Sequence, residues 1–152
     1  MMQIDTKQIK SWMDEKYNFW RTSFPYYFNK ETIFWQIHPK AELQKRLQHL
    51  RILSKHVKHP SSTTIVDVGI AGGMWPYLLH KIGFNAIGID WGDTSSQNEL
   101  EKLHPGIKVY ALYYDKRKWP IQDNSVDIVT FLDTIEHVHP PRDLYLLKLR
   151  ES

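Results

Sequence analysis

Ile65–Gly83 reads IVDVGIAGGMWPYLLHKIG. Thr63, Thr64, Ile65 and Val66 form a β-branched run that meets Asp67 and then the glycines Gly69, Gly72 and Gly73. Apolar residues next recur at helical spacing, at Met74, Leu78, Leu79 and Ile82. This order predicts a buried strand, a tight glycine turn and a helix, the opening unit of an α/β nucleotide-binding fold. Glycines there remove Cβ atoms that would hold a ligand off the backbone, and the helix start offers N–H groups without helical partners. The chemistry is expected on whatever binds at this turn.

The spacing separates two ligand classes. A dinucleotide fingerprint opening at Gly69 requires glycines at the positions held by Ala71 and Met74. The run Asp67-Val68-Gly69-Ile70-Ala71-Gly72-Gly73 instead resembles the first motif of the class I S-adenosylmethionine-dependent methyltransferases, D-x-G-x-G-x-G, commonly with Ala for the middle Gly. S-adenosylmethionine has no pyrophosphate, and its amino-acid end carries an ammonium and a carboxylate. An acidic side chain and an open backbone suit that end, so Asp67, Gly69, Ala71 and Gly73 are candidate cofactor residues. Gly73 is expected to leave room where cofactor or helix approaches most closely.

Asn85–Trp91, NAIGIDW, is a short apolar strand ending in a carboxylate. It stands roughly 20 residues after the turn, the distance at which a ribose-binding acid closes the second strand of such folds. Asp90 can accept from both ribose hydroxyls, and Trp91 can cover one face of the adenine. Ile107–Tyr114 reads as a third strand, followed by Asp115. Trp119-Pro120-Ile121-Gln122-Asp123-Asn124-Ser125-Val126-Asp127, the apolar run Ile128–Leu132, and Asp133-Thr134-Ile135-Glu136-His137-Val138 complete a series that resembles the small-molecule methyltransferases grouped as type 11. By that resemblance Asp115 faces the adenine amino group and Asp127 opens the fourth strand. Leu132 and Asp133 then lie beside the sulfonium and its methyl.

The same resemblance implies a Rossmann-like α/β core with strand order 3-2-1-4-5-7-6. This chain supplies four parallel strands, expected near 63–68, 85–89, 107–112 and 126–132. The resemblance covers about 63 to 149, with a helix expected to begin near Pro141. The family's turn before a fifth strand does not occur before Ser152. The expectation is a partial core, apparently truncated after the fourth strand, in order 3-2-1-4. Ile128–Leu132 reads as an interior strand, so its outer edge is expected to self-associate or to meet a partner. The chain is expected to form a single domain over 1–152, with a helical N-terminal segment at 1–60 and the incomplete S-adenosylmethionine-binding core at 61–152.

With 41% hydrophobic and 24% charged residues, the 152-residue composition is globular and not disordered. There are no cysteines, which excludes a disulfide scaffold and a thiolate metal site. No apolar run approaches a membrane span and Met1–Asp5 carries no secretory pattern. A cytoplasmic protein with no membrane partner is expected. The net charge is +3, but the basic residues are dispersed: Lys45, Arg46 and Arg51 on one helix, Lys116, Arg117 and Lys118 in a loop. Nucleic acid is therefore disfavoured as a partner, and the acceptor is expected to be a small molecule. The eight histidines show no C-x-x-C or H-E-x-x-H spacing, so no metal is expected.

Leu43, Leu47, Leu50, Ser54 and Val57, with Leu53 adjoining, mark one face of an amphipathic helix. Before it lies an aromatic-rich stretch that includes Trp12, Tyr17, Phe19, Trp20, Tyr26, Tyr27, Phe34 and Trp35. The aromatics either bury a helical hairpin on the core or, as in related enzymes, close over the cofactor. Pro25, Pro39 and Pro60 mark the breaks. His137, with a pKa near neutrality, is the candidate base for an acceptor hydroxyl; alternatively Glu136 and His137 fix the loop after strand four. Three functions follow in order of preference: a methyltransferase acting on an unidentified acceptor, a non-catalytic methyltransferase-like module, and a nicotinamide-dependent oxidoreductase. The glycine spacing and the segment around Asp115 disfavour the last.

Overall fold

The computed structural model of the chain describes residues 4–31, 36–91, 96–112 and 119–134. Ahead of the sheet the described residues include α1 (Thr6–Ser23), α2 (Pro25–Glu31) and α3 (Pro39–His56). Asp5 caps α1 by accepting from the Lys7 and Gln8 amides, at 2.8 and 3.4 Å. Pro25 and Pro39 each occupy the first helical position, where a missing N–H costs nothing. Pro60 opens a 3-10 turn, Pro60–Ser62, that leads into the sheet.

The sheet then builds in the order β1 (Thr64–Val68), α4 (Met74–Ile82), β2 (Asn85–Trp91), α5 (Ser96–Leu103), β3 (Lys108–Leu112) and β4 (Ile128–Thr130). Among the described residues the sheet has four strands, parallel and in the order β3-β2-β1-β4, as the resemblance implied. Thr64 pairs with Asn85 and Ile65 with Ile128, which sets the register on both sides of β1. Gln97 protects the β3 edge: its amide donates to the Val109 carbonyl at 2.9 Å and accepts from the Ala111 N–H at 2.7 Å.

The period-2 alternation of β1 assigns its two faces. Ile65 joins the larger core, where Ile9 and Met13 of α1, Leu47, Leu50 and Leu53 of α3, and Leu78 and Leu79 of α4 are buried together. Val66 and Val68 join a second cluster with Ile89 and Leu112, covered by Trp119, Ile121 and Val126. Leu47 and Leu50 lie on the face expected of α3, and Leu53, placed beside it by the sequence, is buried with them.

The second and fourth strands differ most from the sequence reading. The second strand runs on to Trp91, because Asp90 and Trp91 still pair with Ala111 and Leu112. The fourth spans 128–130 and not 126–132. Asp127 stands just ahead of it, with its carboxylate accepting from the Thr64 N–H at 2.8 Å. Beyond Thr130 the chain leaves the ladder and turns at Asp133, whose φ is 54°. All three β4 residues are half-buried, and among the described residues β1 is its strand neighbour.

Candidate cofactor site

The site forms at the carboxyl ends of the strands, where the β1–α4 turn leaves the sheet. The Gly69 and Ile70 amides both donate to the Ile89 carbonyl, at 2.8 and 3.3 Å, which straps the turn to β2. Gly69 and Gly73 adopt φ values of 77° and 63°, in the left-handed region. Ala71 is also left-handed, with φ 43°, so an alanine carries strain where the family pattern usually has glycine. Its N–H donates to Asp90 Oδ2 at 3.0 Å, and the Trp91 N–H donates to Asp90 Oδ1 at 2.8 Å. The acid at the end of β2 therefore holds the turn as well as facing the cavity beside it.

Each turn glycine makes room for a side chain from elsewhere in the fold. A Cβ at Gly69 would overlap Thr134, one at Gly72 the Trp20 indole, and one at Gly73 the His104 imidazole. Trp20 and Lys16 of α1 both donate to the Leu103 carbonyl, at 3.1 and 2.9 Å, which ties α1 to the end of α5. Of the two arrangements the sequence left open, packing of the aromatic N-terminal segment on the core is seen. Trp20 is 2% exposed and packs over the turn, while Tyr27 lines the cavity.

Two cavities meet at this turn. The first, about 410 Å³, is lined by Ala71, Asp90 and Trp91, by Leu100 and Leu103 of α5, and by Tyr27. The second, about 210 Å³, lies toward the helices between Lys16, Trp20, Arg46, Gly73, Trp75 and Leu132. Gly69, Ala71 and Asp133 line both. Asp133, at the end of β4, is ion-paired with Lys45 of α3, and that contact holds its carboxyl below the usual range. Arg46 pairs with Glu42 at 3.4 Å. Of the residues read from the sequence, Asp67, Gly69, Ala71, Gly73, Asp90, Trp91, Leu132 and Asp133 all line one or both cavities. Asp115 and His137 lie outside the described residues.

Asp67 forms part of the floor of the second cavity, 3% exposed, and its Oδ1 accepts from the Thr130 hydroxyl at 2.7 Å. Burial pushes its carboxyl up to about 7, although the Thr130 hydrogen bond works the other way. His104 is 1% exposed and burial takes its imidazole down to about 3. The two act oppositely on stability. Asp67 binds its proton more tightly when folded, so its contribution is full below about 3.8 and declines as pH rises to about 7. His104 binds its proton less tightly when folded, so its contribution is full above about 6.5 and declines as pH falls toward about 3. Over roughly pH 4–6.5 the slopes offset. Asp67→Asn removes one of them, and its thermal midpoint should fall with acidification from pH 6.5 to 4 more steeply than that of the wild type. Parallel pH profiles would show that burial does not raise the Asp67 carboxyl in the folded chain.

Sequence reading missed Thr134, Lys16, Glu42, Lys45, Arg46 and Leu103. Thr134 arrives from the turn after β4 and the others through helix packing, and local spacing reports neither.

A methyltransferase domain model matches residues 66–147, more than half of the chain. The chain belongs to the class I S-adenosylmethionine-dependent methyltransferases. It is similar to ubiquinone biosynthesis O-methyltransferases from three bacteria. The Colwellia psychrerythraea protein is 33% identical over 79 residues, 51% of this chain and 32% of the relative. The Hydrogenovibrio crunogenus protein is 32% identical over 102 residues, covering 65% and 42%. The Hahella chejuensis protein is 25% identical over 145 residues, covering 91% and 53%. The chain therefore spans about half or less of the length of these relatives. No solved structure matches it. Among the described residues, no helix is long and apolar enough to cross a membrane.

Proposed function

We propose that this chain holds S-adenosylmethionine across the two cavities and directs its methyl to an oxygen of a small, flat acceptor. The observation that carries this reading is the meeting of both cavities at Gly69, Ala71 and Asp133, with the Asp90 carboxylate in one and cationic side chains in the other. When bound, the cofactor supplies an electrophilic methyl on a sulfonium.

In this reading Asp90 accepts from the ribose hydroxyls, and Trp91 with Leu100 and Leu103 encloses the adenine end. The first cavity falls in the size range of small-ligand pockets. Asp133 stands at the join with Leu132 beside it in the second cavity, and alignment of donor and acceptor there supplies much of the acceleration. The indoles of Trp20 and Trp75 and the ring of Tyr17 give the second cavity flat apolar walls suited to an aromatic acceptor. The similarity to ubiquinone biosynthesis O-methyltransferases supports oxygen as the acceptor atom. His137 is assigned as the base for the acceptor hydroxyl.

Calorimetric titration of the chain with S-adenosylmethionine, S-adenosylhomocysteine and NAD tests the cofactor. Saturable binding of the first two and none of NAD is the expected result. NAD binding in their place would overturn the reading. Radiolabelled methyl transfer to a panel of phenols and catechols then tests the acceptor, and transfer only to amines would reject oxygen.

A further inference from the structure

Lys16 is a buried cation that the roles above do not explain. It is 3% exposed on α1 and lines the second cavity beside Gly72 and Gly73. Its Nζ donates to the Leu103 carbonyl at 2.9 Å and lies 3.3 Å from His104 Nδ1. The rings of Trp20, Tyr77 and Phe19 surround it at 5.1, 5.5 and 5.6 Å from their centroids. The other cations of this cavity have acidic partners, Lys45 with Asp133 and Arg46 with Glu42. Among the described residues no carboxylate pairs with Lys16. A buried ammonium without a counter-charge is costly, and aromatic faces return only part of that cost. Gly73, Met74 and Trp75, at the start of α4, line the same cavity, so the positive end of that helix adds to the potential of the ammonium there.

We propose that Lys16 supplies the counter-charge for the α-carboxylate at the methionine end of the cofactor. This inference rests on the cofactor reading above and adds to it a specific residue on the N-terminal helix. A carboxylate entering beside Gly72–Gly73 gives the ammonium an anionic partner that no described residue supplies. It also couples cofactor capture to α1. The helix that brings Lys16 is the one whose Trp20 covers the turn, so the amino-acid end of the ligand and the N-terminal cover stabilise one another.

The pairing has a protonic signature. Burial lowers the Lys16 ammonium to about 7, so the free protein carries a mixture of charged and neutral forms near neutrality. The groups facing it are His104 beyond α5 and Tyr77 on α4. Across the cavity stand Asp67 on β1 and Glu42, Lys45 and Arg46 on α3. His104 and Tyr77 are neutral between pH 7 and 9, held so by burial. A bound carboxylate favours the ammonium, so binding takes up a proton over this window and affinity falls as pH rises through it.

Titrating the full chain with S-adenosylhomocysteine and with 5′-methylthioadenosine, which lacks the amino-acid end, tests the assignment. Lys16→Met keeps the length and apolar contacts of the side chain and removes the charge. It should weaken S-adenosylhomocysteine by about 10- to 100-fold and leave methylthioadenosine within about twofold. The variant should also show a shallower loss of S-adenosylhomocysteine affinity from pH 7 to 9 than the wild type, since the ligand's own ammonium titrates in both. Equal weakening of the two nucleosides would mean that Lys16 merely fastens α1 to α5, and the proposal would fall. Unchanged S-adenosylhomocysteine affinity would place the carboxylate elsewhere and overturn it too. If neither nucleoside bound the wild-type chain, the cofactor reading itself would fail and this assignment with it.

Discussion

Gly73→Val is expected to abolish cofactor binding and to lower stability by at least about 2 kcal/mol. Two costs combine. The residue adopts φ 63°, a region that β-branched side chains rarely enter. Its new Cβ would also occupy the space of the His104 ring, which is 1% exposed and has nowhere simple to go. Displacing His104 disturbs the Lys16 and Trp20 hydrogen bonds to Leu103 and loosens α1 over the turn. Circular dichroism should retain much of its helical signal, because α3 and α4 make their own core contacts. A urea melt and an S-adenosylhomocysteine titration check both parts. The double variant Gly73→Ala with His104→Ala separates them: it restores room and leaves only the backbone strain. If Gly73→Val bound S-adenosylhomocysteine as tightly as the wild type, the turn could not be the cofactor cradle.

The same residue shows where sequence reading stops. The strand, turn and helix around Gly69–Gly73 were legible because glycine placement and apolar period are local properties. The strand order followed from a series of motifs in one order along the chain. Asp90 was legible from its distance to the turn. What fills the space behind the glycines was not legible. Thr134, Trp20 and His104 come from the end of β4, from α1 and from the end of α5, and their meeting depends on tertiary packing. The sequence reading assigned the room at Gly73 to the cofactor or the helix, and the group facing it is the His104 ring.

A similar limit applies to the shortness of β4. The apolar run Ile128–Leu132 satisfies any strand pattern, yet pairing ends at Thr130. Asp133 then takes a left-handed turn, and the Thr134 hydroxyl donates to the Leu132 carbonyl at 3.1 Å and the Gly69 carbonyl at 3.3 Å. Those bonds draw the chain over the glycine turn and bring Asp133 to the junction of the cavities and Leu132 to the wall of the second. The resemblance anticipated that these two residues would face the reacting centre. It did not anticipate that Lys45, from a helix before the sheet, would neutralise Asp133 there. Hydrophobic period alone placed α3 on the core, but the residues at 42, 45 and 46 reach the site from beside the buried stripe.

Asp90→Ala carries the other large expected effect, a loss of roughly 100-fold in S-adenosylhomocysteine affinity. Hydrogen bonds to a charged acceptor contribute about 1.5–3 kcal/mol, and the substitution removes those to the ribose. It also strips the Ala71 and Trp91 amides of the carboxylate oxygens that accept from them at 3.0 and 2.8 Å. Losing that support is expected to cost about 1 kcal/mol more, because Ala71 is held in a left-handed conformation that it would not choose. Asp90→Asn divides the two roles. Its side-chain oxygen can still accept from one amide, so the turn should keep part of its order, while the ribose meets a neutral group in place of a carboxylate. The expected ranking in affinity is wild type, then Asn, then Ala, with thermal midpoints following the same order over a smaller span. Calorimetry and thermal melts with and without ligand measure both quantities. An Ala variant with wild-type affinity would remove Asp90 from the binding site and leave it as a turn-stabilising residue alone.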